Sequence, residues 1–287
     1  MAEYESLPQQ RQAGKRMNQP LLVTVNGTGI PDPFGPGFSG DIGRAFAHDP
    51  WEALAHNVAG TLYDTPVYWQ PIGYPASVYP MGKSVTIGRG EVNRQIALRP
   101  KGTPLFLSGY SQGALVTDTV WVQDILSPNG IHHDRLPDVR GIINFGDPGR
   151  CPGVAHGNEI AGLPPPSKHD GVTTGGIAGP KDLTPQQTPS FLLSCALDGD
   201  LYACCPVGDS PQSGEAKVGR VETQIFNIVQ AATFWDVLAV AEDLGRPAAT
   251  IEAVWNGLVF AAEGVNAPHW KYDPFVPAMV DWISRQV

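Results

Sequence analysis

The residues best suited to chemistry in this sequence are a serine and the two glycines that flank it. The segment Gly109-Tyr110-Ser111-Gln112-Gly113 places Ser111 between an apolar run, residues 104–110, and a helical pattern, residues 112–126. A serine at such a turn has a strained backbone, and side chains two positions away would collide with the strand and the helix. Gly109 and Gly113 remove that collision. The pattern predicts a serine nucleophile at the N-terminus of a helix, where a developing oxyanion is stabilised.

A serine hydroxyl needs a base, and the base needs an acid that orients it. Where the serine lies at such a turn, the order along the chain is serine, then Asp or Glu, then His. The strongest acid segment is Asp198-Gly199-Asp200, just after the apolar run 190–196. Of the seven histidines, His269 alone follows this segment, so we predict that it is the base. The turn could present either carboxylate, and the residues alone do not separate Asp198 from Asp200.

The oxyanion of an acyl-transfer intermediate needs two hydrogen-bond donors. The first is predicted to be the backbone N–H of Gln112, which follows the nucleophile. The second normally comes from the loop after an early strand. Asn26-Gly27-Thr28-Gly29 follows the apolar run 20–25 and is the candidate loop. An ordinary turn would have the same composition.

Strand patterns alternate with helical patterns along the chain, which predicts an α/β fold with a parallel sheet flanked by helices. The long Gly-, Pro- and Thr-rich stretch 144–190 is predicted to be surface loop. The predicted strands lie in residues 20–25, 67–72, 104–110, 141–145 and 190–196, and the predicted helices in residues 51–62, 85–98 and 112–126.

The chain is predicted to have one hydrolase-like core with an insertion. Residues 1–19 are expected to be a flexible tail, and residues 20–209 with 263–287 to form the core. Within residues 210–262, apolar side chains recur at helical spacing, which predicts helices inserted between acid and base. Such helices would stand near the mouth of the site.

Composition excludes several classes of function. The 287 residues carry a formal net charge of −9, which argues against a nucleic-acid partner. No apolar run reaches the roughly 18 residues of a membrane span, and no apolar segment follows the first basic residues, so neither a transmembrane helix nor a signal peptide is expected.

No cofactor and no metal are expected either. The glycine pattern Gly35-Pro36-Gly37-Phe38-Ser39-Gly40 lies too far past its strand and contains a proline, which disfavours dinucleotide binding. His132-His133-Asp134 are neighbours in sequence and cannot easily converge on one ion, so a solvated loop is predicted there.

Four cysteines are present, and no pair has C-x-x-C spacing. Cys195 and the pair Cys204-Cys205 bracket the acid segment. The thiols are either reduced, or Cys195 forms a disulfide with Cys204 or Cys205 that closes this loop.

At this point the sequence resembles a known family. The turn Gly109-Tyr110-Ser111-Gln112-Gly113-Ala114 resembles that of cutinases, and further segments resemble lysin B, the mycolylarabinogalactan esterases of mycobacteriophages, which share the cutinase-like α/β-hydrolase fold. These segments are Val25-Asn26-Gly27-Thr28-Gly29, Pro31-Asp32-Pro33, Trp69-Gln70-Pro71-Ile72-Gly73-Tyr74-Pro75-Ala76, Phe145-Gly146-Asp147-Pro148, Asp198-Gly199-Asp200-Leu201-Tyr202-Ala203 and Pro268-His269.

The resemblance implies a serine esterase that hydrolyses the ester between mycolic acids and arabinogalactan during phage lysis. It would be made in the host cytoplasm and act on the outer envelope. The resemblance favours Asp200 as the catalytic acid and implies an oxyanion role for Thr28. Two features depart from lysin B: Asn26 stands where a histidine is expected, and the cysteines around Asp200 look more like those of cutinases.

Three other functions remain open at this stage. A secreted cutinase or lipase would share the fold and the chemistry. A mycolyl or other acyl transferase would replace water by a sugar hydroxyl as acceptor. A non-catalytic envelope-binding module on a hydrolase fold is the third, and a complete Ser–Asp–His set disfavours it.

Overall fold

The computed structural model describes residues 19–46, 66–78, 80–168, 171–206 and 267–287. The predicted helix at residues 51–62, most of the N-terminal tail and the proposed insertion at 210–262 lie outside these residues. Within the described chain no helix is both long and apolar enough to cross a lipid bilayer.

A five-stranded parallel sheet forms the centre of the molecule, with strand order β2-β1-β3-β4-β6. The predicted α/β-hydrolase sheet is therefore confirmed. All five of its strands were predicted, with ends that differ by one or two residues. The strands are β1 (Leu21–Val25), β2 (Tyr68–Ile72), β3 (Leu105–Tyr110), β4 (Val139–Phe145) and β6 (Leu192–Cys195).

Helices cover both faces of the sheet, as buried parallel strands require. On one face the helices α2 (Met81–Ala97) and α3 (Gln112–Thr119) pack over strand residues such as Val23 and Leu107. The other face is covered by α1 (Phe38–Phe46), α4 (His156–Ala161) and α5 (Val276–Ser284). Successive strand residues alternate between the two cores, so apolar side chains occur on both faces of the sheet.

The helix predicted at residues 112–126 is present, but it changes geometry halfway. It begins as α3 and continues as a π-helix, Val120–Leu126. The sequence signalled neither α1, which begins inside the glycine pattern 35–40, nor α5 near the end of the chain. Each of these helices is only nine residues long, which gives two to three turns of helical spacing and therefore a weak pattern in the sequence.

The prediction that residues 144–190 form surface loop is wrong. This stretch contains α4 and one strand of a small antiparallel pair, β5 (Thr174–Gly175) with β7 (Cys205–Pro206). It also buries Arg150, whose Nε donates to the carbonyl of Ala203 at 2.6 Å. Polar and glycine-rich composition was misleading because buried backbone groups here are satisfied by buried side chains.

The cysteines do not form the disulfide considered above, since all four are free thiols. Cys195 packs in the core with α1, α4 and α5, whereas Cys205 packs in the core on the opposite face of the sheet. Cys204 directs its Sγ at the carbonyl of Leu197, 2.9 Å away, and burial raises the pKa of its thiol to about 12. The cysteines bracket the acid in sequence, but the sheet separates Cys195 from Cys205.

The segment at 132–134 is not a solvated loop. His132 is buried and its Nε2 lies 3.1 Å from the carbonyl of Asn93. His133 Nδ1 lies 3.0 Å from the carbonyl of Ile125. The two imidazoles bind separate backbone carbonyls.

Candidate active site

Strand register gathers the candidate residues at one edge of the sheet. Val25 is paired with Gly109, Gly109 with Asn144, and Asn144 with Ser194. The segments that leave these four parallel strands therefore start side by side. They carry the candidate oxyanion loop, Ser111, a glycine turn at Gly146, and the acid turn.

Ser111 lies at the predicted strained turn between β3 and α3. Its backbone has φ 55° and ψ −118°, a conformation that non-glycine residues rarely adopt. The backbone N–H of Ser111 donates to the carbonyl of Phe145 at 2.9 Å, which ties the turn to β4. A sharp turn of this kind lifts the serine side chain out of the sheet edge.

The two flanking glycines are required by close approach, as predicted. A Cβ at position 113 would lie 2.1 Å from the carbonyl oxygen of Val25, and one at position 109 would lie 2.5 Å from the Cα of Ala114. The first residues of α3 thus pass directly over the ends of β1 and β3. No larger residue fits at either position without moving the backbone.

Asp200 and His269 form a buried pair. His269 Nδ1 lies 3.0 Å from Oδ1 and 2.9 Å from Oδ2 of Asp200, although 69 positions separate them in sequence. Because an ionised carboxylate can only accept, Nδ1 carries the proton and donates. The opposite ring nitrogen, Nε2, is then the basic one.

Asp198, which the residues alone could not separate from Asp200, has other partners. Its carboxylate accepts from the backbone N–H and the hydroxyl of Ser167 at 2.6 and 2.8 Å, at an exposed position. The turn therefore presents Asp200 to His269 and Asp198 to solvent-facing Ser167.

Two further donors to Asp200 were not predicted. The hydroxyl of Tyr272 donates to Oδ2 at 2.6 Å, and the backbone N–H of Tyr202 donates to Oδ1 at 2.9 Å. Burial alone would raise the pKa of Asp200, but the charge of His269 and these hydrogen bonds outweigh it and lower the pKa below its usual value. Tyr272 itself is fully buried, and burial followed by the charge of Asp200 raises the pKa of its hydroxyl well above its ordinary value. It therefore stays a neutral donor.

Aromatic rings hold the imidazole of His269. Tyr110 stacks on it with ring centroids 5.1 Å apart and an interplanar angle of 28°. Tyr202 packs against it at 4.6 Å and 49°. The hydroxyl of Tyr110 also donates to the backbone carbonyl of His269 at 3.0 Å. Tyr110, the residue before Ser111, thus restricts the imidazole of His269. The motif G-x-S-x-G does not reveal this contact because its x position is unspecified.

Gly146 packs closely against the Asp200–His269 pair. It has φ +54°, and a Cβ there would lie 2.7 Å from Cε1 of His269 and 3.1 Å from Oδ2 of Asp200. The segment Phe145-Gly146-Asp147-Pro148 had been noted for its resemblance alone. The positive φ and the close approach explain why a glycine occupies this turn.

The candidate oxyanion loop lies against Ser111. A Cβ on Gly27 would be 3.2 Å from the Cβ of Ser111, so the backbone of this loop passes close to Ser111. Thr28 follows at a partly buried turn. Asn26, found where a histidine was expected, donates from Nδ2 to the carbonyls of Asp32 and Gly35 at 3.4 and 3.2 Å. It closes the loop that follows. The N–H of Gln112, in the first turn of α3, has no intrahelical acceptor.

The fold defines the class of the protein, which is an α/β-hydrolase, and the family to which the chain belongs makes it a carboxylic ester hydrolase. Endolysin B of Mycobacterium phage L5 and endolysin B of Mycobacterium phage D29 are each 32% identical to the chain over 265 residues, which cover 89% of this chain and 94% of each relative. The chain belongs to the endolysin B family of mycobacteriophages.

A solved structure supports the same relationship. The crystal structure of lysin B from Mycobacteriophage D29 superimposes with a TM-score of 0.69 at 32% sequence identity, covering 93% of this chain and 99% of that one. No family model matches the chain. The resemblance to lysin B stated from the motifs is confirmed at the level of the whole chain.

Proposed function

We propose that this protein is a mycolylarabinogalactan esterase: it hydrolyses the ester between mycolic acids and arabinogalactan in the mycobacterial envelope. The observation that carries the proposal is the buried Asp200–His269 hydrogen bond at the sheet edge that also bears strained Ser111. That arrangement occurs in a chain of the mycobacteriophage endolysin B family.

In the proposed mechanism Ser111 is the nucleophile and His269 is the general base. The Ser111 Oγ attacks the ester carbonyl carbon while Nε2 of His269 accepts the hydroxyl proton. The tetrahedral intermediate collapses as the sugar oxygen leaves with that proton, and an acyl-enzyme remains. A water molecule, deprotonated by His269, then attacks the acyl carbon. The bond from that carbon to Ser111 Oγ breaks as His269 returns the proton to Oγ, which releases the free mycolic acid and restores the serine hydroxyl.

Asp200 is the proposed orienting acid. Its carboxylate binds Nδ1–H, which fixes the tautomer that leaves Nε2 basic, and it stabilises the imidazolium that forms during attack. The aromatic rings of Tyr110 and Tyr202 restrict the imidazole to the orientation in which Nδ1 meets the carboxylate.

The proposed oxyanion hole consists of the backbone N–H of Gln112 and the hydroxyl residue Thr28. Gln112 offers a free N–H at the positive end of α3, directly after the nucleophile. Thr28 is proposed because the loop that contains it passes Ser111 at Gly27. No metal or cofactor takes part in the proposed reaction.

The proposed setting is host lysis. The substrate is a lipid ester of the outer envelope, on which the enzyme would act after release from the host cytoplasm. Residues 210–262 are proposed to form an insertion beside the site, because the chain leaves after β7 near Asp200 and returns just before His269.

Release of free mycolic acid from purified mycolyl-arabinogalactan is the direct test. The wild-type protein is expected to release it, and Ser111→Ala is expected to release none above the background without enzyme. Circular dichroism of the variant would verify that it is folded. Hydrolysis of p-nitrophenyl butyrate by the wild type without any mycolic acid release would reject the proposed substrate and leave a general esterase.

A further inference from the structure

A closed ring of hydrogen bonds surrounds the side chain of Gln112. The backbone N–H of Ser77 donates to the hydroxyl of Ser84 at 3.1 Å, and this hydroxyl donates to Oε1 of Gln112 at 3.0 Å. Nε2 of Gln112 returns a hydrogen bond to the carbonyl of Ser77 at 2.8 Å. Gln112 and Ser84 are almost wholly buried, with 1% and 2% exposure. The ring therefore fixes Gln112 in one rotamer.

Ala76 precedes Ser77 of this ring in sequence, and it is hydrogen-bonded to the candidate oxyanion loop. The carbonyl of Ala76 accepts a hydrogen bond from the backbone N–H of Gly29 at 2.8 Å, next to Thr28. Ala76 has φ 49°, and among the described non-glycine residues only Ser111 shares a positive φ. Strained conformations of this kind persist where the surroundings over-determine them, and they cluster at functional sites.

The Ala76–Ser77 segment thus joins both groups that are proposed to bind the oxyanion. One side holds the loop of Thr28 through the Ala76 carbonyl. The other side holds the first residue of α3 through the ring. We infer that Ser84 is a positioning residue for the oxyanion hole, acting through Gln112 and the Ala76–Ser77 segment. This inference rests on the proposed esterase function.

The physical reason is preorganisation. Oxyanion donors accelerate acyl transfer when they already point to where the charge develops, so that no reorganisation occurs during the reaction. Loss of the Ser84 hydroxyl would leave the Ser77 N–H and the Gln112 Oε1 without their partner. The two loops could then shift relative to one another. Ground-state binding of a small ester would change little, because the oxyanion exists only in the transition state.

Ser84→Ala tests this in the full-length protein with p-nitrophenyl butyrate. We expect kcat to fall by at least about tenfold and KM to stay within about twofold, since removal of a complete oxyanion donor typically costs about 10²–10³ in kcat. Inactivation by a p-nitrophenyl phosphonate, whose adduct places an oxygen in the same position as the oxyanion, should slow by a similar factor. Ser84→Thr retains the hydroxyl and should restore most of both rates.

Thr86→Ala is the matched control. Thr86 lies on the same helix, and its hydroxyl donates to the carbonyl of Gly82 at an exposed position, 2.8 Å away. Its kcat and phosphonate rate should equal those of the wild type. Should Ser84→Ala fail to fold, Ser84→Cys keeps the volume with a weaker donor and should show the same split between kcat and KM in smaller measure.

Failure of the inference about Ser84 and failure of the proposed function give different results. Wild-type kcat and phosphonate rates in Ser84→Ala, or a rise in KM with kcat unchanged, would overturn the role of Ser84 while leaving the esterase intact. A wild-type protein that neither hydrolyses the ester nor reacts with the phosphonate would overturn the proposed function itself.

Discussion

Asp200 is a buried carboxylate with hydrogen-bond donors on both oxygens. His269, Tyr272 and the backbone of Tyr202 supply them. A charge this deeply buried is stabilised only when it is fully paired and hydrogen-bonded. Its neighbour Asp198 is exposed and bound to Ser167, which makes the two carboxylates a natural matched pair for mutation.

Asp200→Asn is expected to lower kcat/KM by at least about 10³-fold, because an amide neither enforces the Nδ1–H tautomer nor stabilises the imidazolium. Asp198→Asn should retain activity within about twofold. Steady-state hydrolysis of p-nitrophenyl butyrate measures both. Equal losses in the two variants would mean that the acid has been assigned wrongly.

Tyr272→Phe removes one donor from Asp200 while keeping the ring. That hydrogen bond helps to lower the pKa of Asp200, so its loss should raise this pKa. Because the proposed mechanism requires an ionised Asp200, the acidic limb of the kcat/KM profile should move to higher pH. A pH series of initial rates checks this. Tyr74→Phe is the control, because the Tyr74 hydroxyl is also buried but donates to the carbonyl of Asn26 at 2.7 Å. It should lower the unfolding temperature without moving that limb; an unmoved limb in Tyr272→Phe would contradict the prediction.

Among individual residues, the sequence predicted best those that belong to the motif around Ser111. The strained serine, its two glycines and the choice of His269 as the predicted base follow from the residue types and their order along the chain. Asp198 and Asp200 could not be separated because both lie in one turn, and only Ser167, 31 positions away, removes Asp198 from the site. Tyr272 was missed because a tyrosine three residues after a histidine has no distinguishing pattern.

At the scale of elements, the crossing of α3 over β1 determines where Ser111, the proposed nucleophile, lies. The approach is close because Gly113 has no side chain. A methyl group there must displace the backbone of Val25, and this residue belongs to β1, an inner strand of the sheet. The helix cannot tilt away without moving Ser111.

Gly113→Ala is expected to prevent folding or to lower the unfolding temperature by well over 10 °C. Gly90→Ala in the interior of α2 is the opposite case, since a Cβ there meets nothing within 4 Å. It should stabilise the protein by about 0.5–1 kcal/mol, through the higher helix propensity of alanine. Differential scanning calorimetry compares the two. A Gly113→Ala protein that melts with the wild type would refute the tight crossing.

The elements that the sequence misjudged share a physical cause. Residues 144–190 are polar and rich in glycine, yet Arg150 and Asn158 lie buried and bind backbone carbonyls there. A polar composition predicts a loop because it does not show which polar side chains have hydrogen-bond partners in the folded protein. A buried polar group with partners 38 to 53 positions away is invisible to any local pattern.

At the scale of the whole molecule, three buried carboxyl groups interact electrostatically with one another, those of Asp118, Asp147 and Asp182. Burial, then the charge of Asp147 and a hydrogen bond with it, raise the pKa of Asp118 well above its usual range. Burial and then Asp147 do the same to Asp182, while Arg150 opposes the shift. A carboxyl whose pKa is raised in the folded state contributes stability below its unfolded pKa and loses it as the pH rises through the folded pKa. These groups therefore destabilise the fold increasingly from acidic to alkaline pH.

Asp118→Asn is expected to raise the unfolding temperature at pH 8 and to leave it nearly unchanged at pH 4. The amide is neutral at every pH, can still accept from Nδ2 of Asn144, and can donate to Asp147 as a protonated carboxyl does. Thermal melts from pH 4 to pH 9 measure the difference. Asp134→Asn is the control. Because its partner Lys101 lowers the pKa of that surface carboxyl, loss of the charge should lower the unfolding temperature at pH 8 instead of raising it. A gain in the Asp118 variant that does not depend on pH would contradict this account.

The proximity of Asp200 to His269 has a consequence for how the protein can vary. Asp200 lies a few residues before β7 and His269 lies in the turn that begins at Pro268, so the connection between residues 206 and 267 starts and ends next to one hydrogen-bonded pair. The entropy of closing a connection between two fixed points grows only with the logarithm of its length, and each doubling costs about 0.6 kcal/mol. Segments of very different size can therefore be exchanged at this junction while Asp200 and His269 keep their geometry. The hydrogen bond between these two side chains holds the ends of the connection together, whatever the length of the segment between them.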